Sequence, residues 1–180
     1  MERLAALLRG VNVGGRRRLA MADLVAVVEG LGHRDVATYL QSGNVVFTPG
    51  SRANPGSVAA RIEEALATEL ALESAVVVRS ASELASVLTA NPFVGADPAT
   101  LHVTFLAGGV GAGGGEDGGS VDVEAKGDRA TIVGLHVYLR CPTGYGRSPL
   151  TNGYWERRLG VPVTTRNWRT VTALAELTGG

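Results

Sequence analysis

A chain of 180 residues is long enough for one large domain or two small ones, and its 45% hydrophobic and 19% charged composition calls for a packed core. Aromatics make up only 5%, so that core must be aliphatic, and a base-stacking surface rich in Phe and Tyr is disfavoured. Seventeen basic and seventeen acidic residues cancel, but unevenly: residues 1–20 carry a net +4, residues 21–139 a net −8 and residues 140–180 a net +4, so the two basic ends form one patch if they meet in space.

Leu4 to Leu8 is a short, wholly apolar run, which suits a strand covered on both faces. Gly10, Gly14 and Gly15 then break it, and Ala22 to Leu31 carries apolar residues near helical spacing. Strand, glycine loop and helix together suit phosphate binding, because glycines let backbone N–H groups approach an anion and the helix N-terminus adds a favourable dipole. The spacing of Gly10, Gly15 and Arg16 almost matches G-x-x-x-x-G-K-[ST], but Arg16 replaces the lysine and Arg17 the magnesium-holding hydroxyl. Nucleotide hydrolysis is therefore not expected here. The plainer reading is a turn whose glycines supply positive φ, followed by a solvated basic loop.

Gly32 closes the first helix. Val36 to Leu40 is the second strand, Ser42-Gly43 a tight turn and Asn44 to Thr48 the third strand. Ser57 to Leu70 is an amphipathic helix with Val58, Ile62, Ala65, Leu66 and Leu70 on one side. Ser74 to Arg79 contains the fourth strand. This β-α-β-β-α-β order is the ferredoxin-like pattern. It brings the loop after strand one (Asn12 to Arg18) to the same sheet end as Gln41, Ser42, Gly43 and Asn44. Ser82 to Ala90 is a short helix, capped by Ser80 or Ser82 and ended by Asn91-Pro92.

The second half opens with a strand over Leu101 to Ala107. Gly108 to Gly119 follows, with eight glycines and two acids in twelve residues, too glycine-rich for a stable helix. Val121 to Ala125 and Ala130 to Arg140 read as strands, the second with a possible break at Gly134. Leu150 to Leu159 reads as a helix, Val161 to Thr165 as a strand and Thr170 to Leu177 as a closing helix. The fold class expected is α+β, two ferredoxin-like (α-β plait) halves with the second degenerate. Residues 1–80 form the first half, 81–98 a connector helix and loop, and 99–180 the second half with its C-terminal helix. No sequence repeat supports duplication directly.

Thr164 to Thr170 (TTRNWRT) packs two arginines, an asparagine, a tryptophan and three hydroxyls between a strand and a helix. Arginine offers a bidentate fork to phosphate or carboxylate, and Trp168 a stacking face. The bland alternative is an N-capped helix anchored by Trp168. Tyr145, Arg147, Ser148, Tyr154, Arg157 and Arg158 form a further basic and aromatic stretch that suits RNA or an ordinary solvated face. The three histidines, His33, His102 and His136, show no metal-ligand spacing, and no triad or carboxylate dyad emerges. Cys141, the single cysteine, excludes an intramolecular disulfide and fits a reducing, cytoplasmic setting. Glu2, Arg3 and Arg9 interrupt any signal-peptide core, and no stretch approaches the ~20 apolar residues of a membrane span.

Four segments, RGVNVGG, YLQSGNVVF, ANPF at Ala90–Phe93 and TTRNWRTV, resemble in this order the bacterial family known as domain of unknown function 1697, from about Leu4 to Leu177. The resemblance implies two α-β plait halves. It supplies no catalytic residues, cofactor or metal, and implies only that Arg9, Asn12, Gly14, Gly15, Gln41, Ser42, Gly43, Asn44, Arg166, Asn167 and Trp168 lie in recurrent segments. The chain departs from it at Gly108–Gly119, where a helix-forming segment is expected.

The leading expectation is a cytoplasmic binding protein for an anionic ligand, nucleic acid or nucleotide. Arg9, Arg16, Arg17, Arg18, Arg166 and Arg169 would supply charge, Gly14 and Gly15 backbone approach, Asn12, Gln41, Ser42, Asn44 and Asn167 hydrogen bonds, and Trp168 stacking. Two alternatives stay open: a small enzyme on a phosphorylated metabolite, and an interaction module that forms a homo-oligomer through a sheet face or edge.

Overall fold

A computed structural model describes residues 2–15, 18–51, 57–107 and 121–180; Arg16, Arg17 and the tract Gly108–Gly119 lie outside the described residues. The elements run β1 (Leu4–Leu8), α1 (Met21–Gly30), β2 (Arg34–Tyr39), β3 (Asn44–Thr48), α2 (Val58–Leu70), β4 (Val76–Ser80), α3 (Ala81–Thr89) and β5 (Leu101–Leu106). They continue with β6 (Val121–Ala125), β7 (Asp128–Val133), β8 (His136–Arg140), α4 (Asn152–Leu159), β9 (Val163–Asn167) and α5 (Trp168–Gly179). The class is α+β, with two antiparallel sheets and five α-helices among the described residues. The chain divides into two compact units, Met1–Ala85 with Leu174–Gly180, and Ser86–Ala173.

In the first unit the strands lie in the order β2-β3-β1-β4, every neighbour antiparallel. β1 and β2 are therefore parallel with β3 between them, and their C-terminal ends leave the sheet on the same side. Every residue of β1 is buried, as its continuous apolar run requires. Leu4, Ala6 and Leu8 share a core with Val45 and Phe47 of β3, Leu24, Val27 and Val28 of α1, and Ile62 and Leu66 of α2. Truncating one of these large side chains to alanine costs about 2–5 kcal/mol. On the opposite sheet face Ala5, Leu7, Val46 and Val77 are equally buried.

The second unit has five strands in the order β6-β7-β8-β5-β9. The break at Gly134, left open in the expected strand over Ala130 to Arg140, is a full reversal into two paired strands. Gly134 takes a left-handed φ of 56°, and the chain reverses there to pair β7 with β8, Val133 opposite His136. α4 also starts later than expected. Thr151 caps it by accepting a hydrogen bond from Tyr154 N at 3.3 Å. Leu150 stays outside the helix as a buried core residue whose carbonyl accepts from Trp155 Nε1 at 3.1 Å. Trp155, Leu159, Leu106, Val137, Leu139 and Val163 form this unit's core.

Two strand-to-helix junctions share one pattern that the linear sequence did not display as a repeat: Val76-Val77-Val78-Arg79-Ser80 into α3, and Val163-Thr164-Thr165-Arg166-Asn167 into α5. Arg79 stands opposite Ala5 of β1, and Arg166 opposite Val103 of β5. Both arginines are buried, and each donates Nη1–H to the carbonyl of the preceding residue, at 2.8 and 3.0 Å. The residue that follows caps the helix. Ser80 Oγ accepts from Glu83 N at 3.2 Å while Glu83 Oε2 accepts from Ser80 N, and Asn167 Oδ1 accepts from Thr170 N at 2.8 Å.

Candidate functional site

The chain leaves β1 under restraint on both sides. Leu8 N donates to Gly43 O at 2.8 Å, Arg9 N to Ala75 O at 2.9 Å, and Ser74 Oγ to Arg9 O at 3.0 Å. Val11 then buries against the turn that follows β2, and the backbone reverses at Asn12 with φ 54°. The Asn12 amide closes the loop. Its Oδ1 accepts from Leu19 N at 2.9 Å, and its Nδ2 donates to Leu19 O at 2.8 Å and to Gln41 O at 2.7 Å. Only a carboxamide can do this, because the contact with Leu19 needs an acceptor and the two carbonyls need donors. The expected meeting of the opening loop with the Gln41–Asn44 turn is thus built by one side chain.

Inside the closed loop Gly14 and Gly15 are exposed at φ 62° and 73°, and a Cβ on either would touch nothing. These glycines serve backbone conformation rather than close packing. Gly43 needs both. At φ 75° its Cβ would press on Val11 Cγ2 and lie 2.9 Å from Leu8 Cβ. Asn44 is fully buried, and its Nδ2 donates to Tyr39 O and Ser42 Oγ, both at 2.9 Å. Both hydrogens of the Asn12 and Asn44 amides are therefore spent within the protein, so these residues shape the loop pair. Arg9 and Ser42 are half-buried, and Arg18 and Gln41 exposed. Arg18 also lines a groove of about 650 Å³ with Ala67, Leu70, Ala71, Leu72 and Glu73.

The Thr164–Thr170 segment belongs to the second unit, the opening loop to the first. Arg166 is buried rather than presented. Its Nη1 donates to Thr164 Oγ1 at 2.7 Å, and burial brings its pKa down to about 10, against an opposing effect of Tyr145. It stays protonated at neutral pH. Asn167 caps α5, Trp168 is half-buried and Arg169 exposed. The tryptophan at full burial is Trp155, which the sequence reading passed over although Leu159 follows it at helical spacing.

Near Tyr145, Thr165 Oγ1 is a hub. It donates to Asn152 Oδ1 at 2.6 Å, accepts from Tyr145 OH at 3.2 Å and lies 2.7 Å from Thr104 Oγ1. His102 stacks on Tyr145 with ring centroids 5.0 Å apart, and burial lowers its pKa. Burial likewise raises that of the enclosed Cys141 thiol. Among the described residues no three His, Cys, Asp or Glu side chains gather as metal donors, and no helix is long and apolar enough to cross a membrane.

A family model described as "Protein of unknown function (DUF1697)" matches residues 1–138. Among solved structures the chain is similar to the conserved bacterial protein SP0830 from Streptococcus pneumoniae, at 21% identity and a TM-score of 0.71, with 98% of each chain covered. That likeness shows a shared fold. No curated protein matches the chain.

Proposed function

The chain belongs to the DUF1697 family of proteins of unknown function, and from the first unit we propose that it is a binding protein for an anionic, phosphate-bearing ligand, a nucleotide or nucleic acid. The observation that supports this reading is the Asn12 clasp. It joins the loop to the Gln41 turn and fixes a segment where two exposed left-handed glycines precede Arg18. Backbone amides at such glycines suit an oxyanion, and arginine suits phosphate in particular. Arg16 and Arg17 extend the same segment in sequence. Charge in the second unit would come from Arg169, since Arg166 is enclosed.

The test is fluorescence anisotropy with labelled single-stranded RNA and DNA at two salt concentrations. Intact protein is compared with a variant carrying Arg16→Ala, Arg17→Ala and Arg18→Ala. Binding that weakens with salt and is lost in the variant is the expected result. Absence of binding at low salt, with inorganic phosphate and nucleotides also failing to bind by calorimetry, would overturn it.

A further inference from the structure

We infer that the groove beside Arg18 takes a small ligand bearing a primary ammonium as well as a phosphate or carboxylate. The inference rests on the anion-binding reading of the loop and adds the second charge. Arg18 and Glu73 are both exposed and line the same groove, with no ion pair between them among the described residues. The groove thus offers both a cation and a carboxylate.

The carboxylate side is reinforced by the end of α2. That helix has no basic residue in its last turn, and the chain leaves it through Ala71 in the left-handed conformation, φ 49°, with Leu72 N donating back to Leu66 O at 3.0 Å. The last four carbonyls of a helix have no intrahelical partner and carry its partial negative charge. Here they are those of residues 67 to 70, of which Ala67 and Leu70 line the groove. An ammonium placed there meets Glu73 and these carbonyls, while the anionic end meets Arg18. Ala67, Leu70 and Leu72 supply an aliphatic wall for a short methylene linker. A volume of about 650 Å³ accommodates a molecule of that size.

Two probes separate the charges. O-phosphoethanolamine and ethyl phosphate share a phosphate monoester and a two-carbon arm, and differ in the ammonium. At neutral pH ethyl phosphate has the greater net negative charge, so attraction to arginines alone favours it. The inference expects the reverse, with O-phosphoethanolamine bound about tenfold more tightly by calorimetry, as one charge-assisted contact gives. Glu73→Gln should abolish that preference, with ethyl phosphate, which lacks the ammonium, bound no more weakly than by the intact protein. Arg18→Gln should weaken both. Both substitutions are at exposed positions, and circular dichroism checks the fold. Ethyl phosphate binding as tightly as the amine, or a preference that survives Glu73→Gln, overturns the ammonium site while the anion reading stands. Failure of both probes to bind overturns the inference, and failure of nucleic acid, nucleotides and inorganic phosphate as well overturns the anion reading.

Discussion

Asn12 is the side chain on which the candidate site depends, and its removal has a calculable cost. Asn12→Ala deletes three hydrogen bonds of 2.7–2.9 Å. At about 1 kcal/mol each, reduced because one of the three is exposed to competing water, they come to about 2 kcal/mol. Asn12 also holds φ at 54°, a region asparagine tolerates and alanine pays about 1 kcal/mol more to occupy. Asn12→Ala should therefore cost about 3 kcal/mol, and Asn12→Gly, which loses the bonds without the backbone penalty, about 2 kcal/mol. The local probe is hydrogen exchange at the Leu19 amide, which donates to Asn12 Oδ1. Its protection should fall about 30-fold in Asn12→Gly and further in Asn12→Ala. Leu19 exchange within threefold of wild type in both variants would refute the clasp as the element that closes the loop.

Gly43→Ala should destabilise the first unit by about 2–4 kcal/mol, from a left-handed backbone and overpacking against Val11 and Leu8; urea unfolding should show a lower midpoint at constant slope. His33 is buried with its pKa lowered, first by burial and then by Arg61, while its Nδ1 accepts from Gly50 N at 3.2 Å. A depressed folded pKa means that the unfolded chain binds the proton more readily. The His33 contribution is thus complete above the ordinary value near 6.5 and is lost as pH falls through it toward the folded value. The acid-side slope of stability against pH should flatten in His33→Gln, and an unchanged slope would exclude this account. Arg79→Met should change stability by less than about 1.5 kcal/mol, since buried charges cost nearly what they return. It should nonetheless give more than one set of amide resonances along β1 and β4, and one sharp set would refute a register role.

Much of the first unit was legible. β1 and β3 match their expected limits, Leu4–Leu8 and Asn44–Thr48, because short apolar runs bounded by glycine, asparagine or proline leave little choice. The second unit was harder where apolar character ran on. Ala130 to Arg140 is apolar across Gly134, so composition alone did not show that the chain turns back there. Trp155 lies among Tyr154, Arg157 and Arg158, and those charges masked a core position. Arg166 looked like a surface cation because the TTRNWRT segment is polar on both sides of it, and nothing in that pattern shows the side chain turned inward. The role of Asn12 depended on acceptors at Leu19 and Gln41, which no local pattern displays.

The buried arginine of β4 bears on how the first sheet chooses among its own mistakes. β1 is leucine and alanine throughout, and β4 begins with three valines. Paired one residue out of step, these strands would still set apolar groups against apolar groups, although every side chain would change face. Arg79 ends that ambiguity. A slip would carry its guanidinium to the helix-covered side, among Leu66, Val58 and their neighbours. What the residue contributes is information more than binding energy: it penalises the wrong alignments far more than it rewards the right one. β9 carries its buried arginine at the same fourth position, after Val163, Thr164 and Thr165.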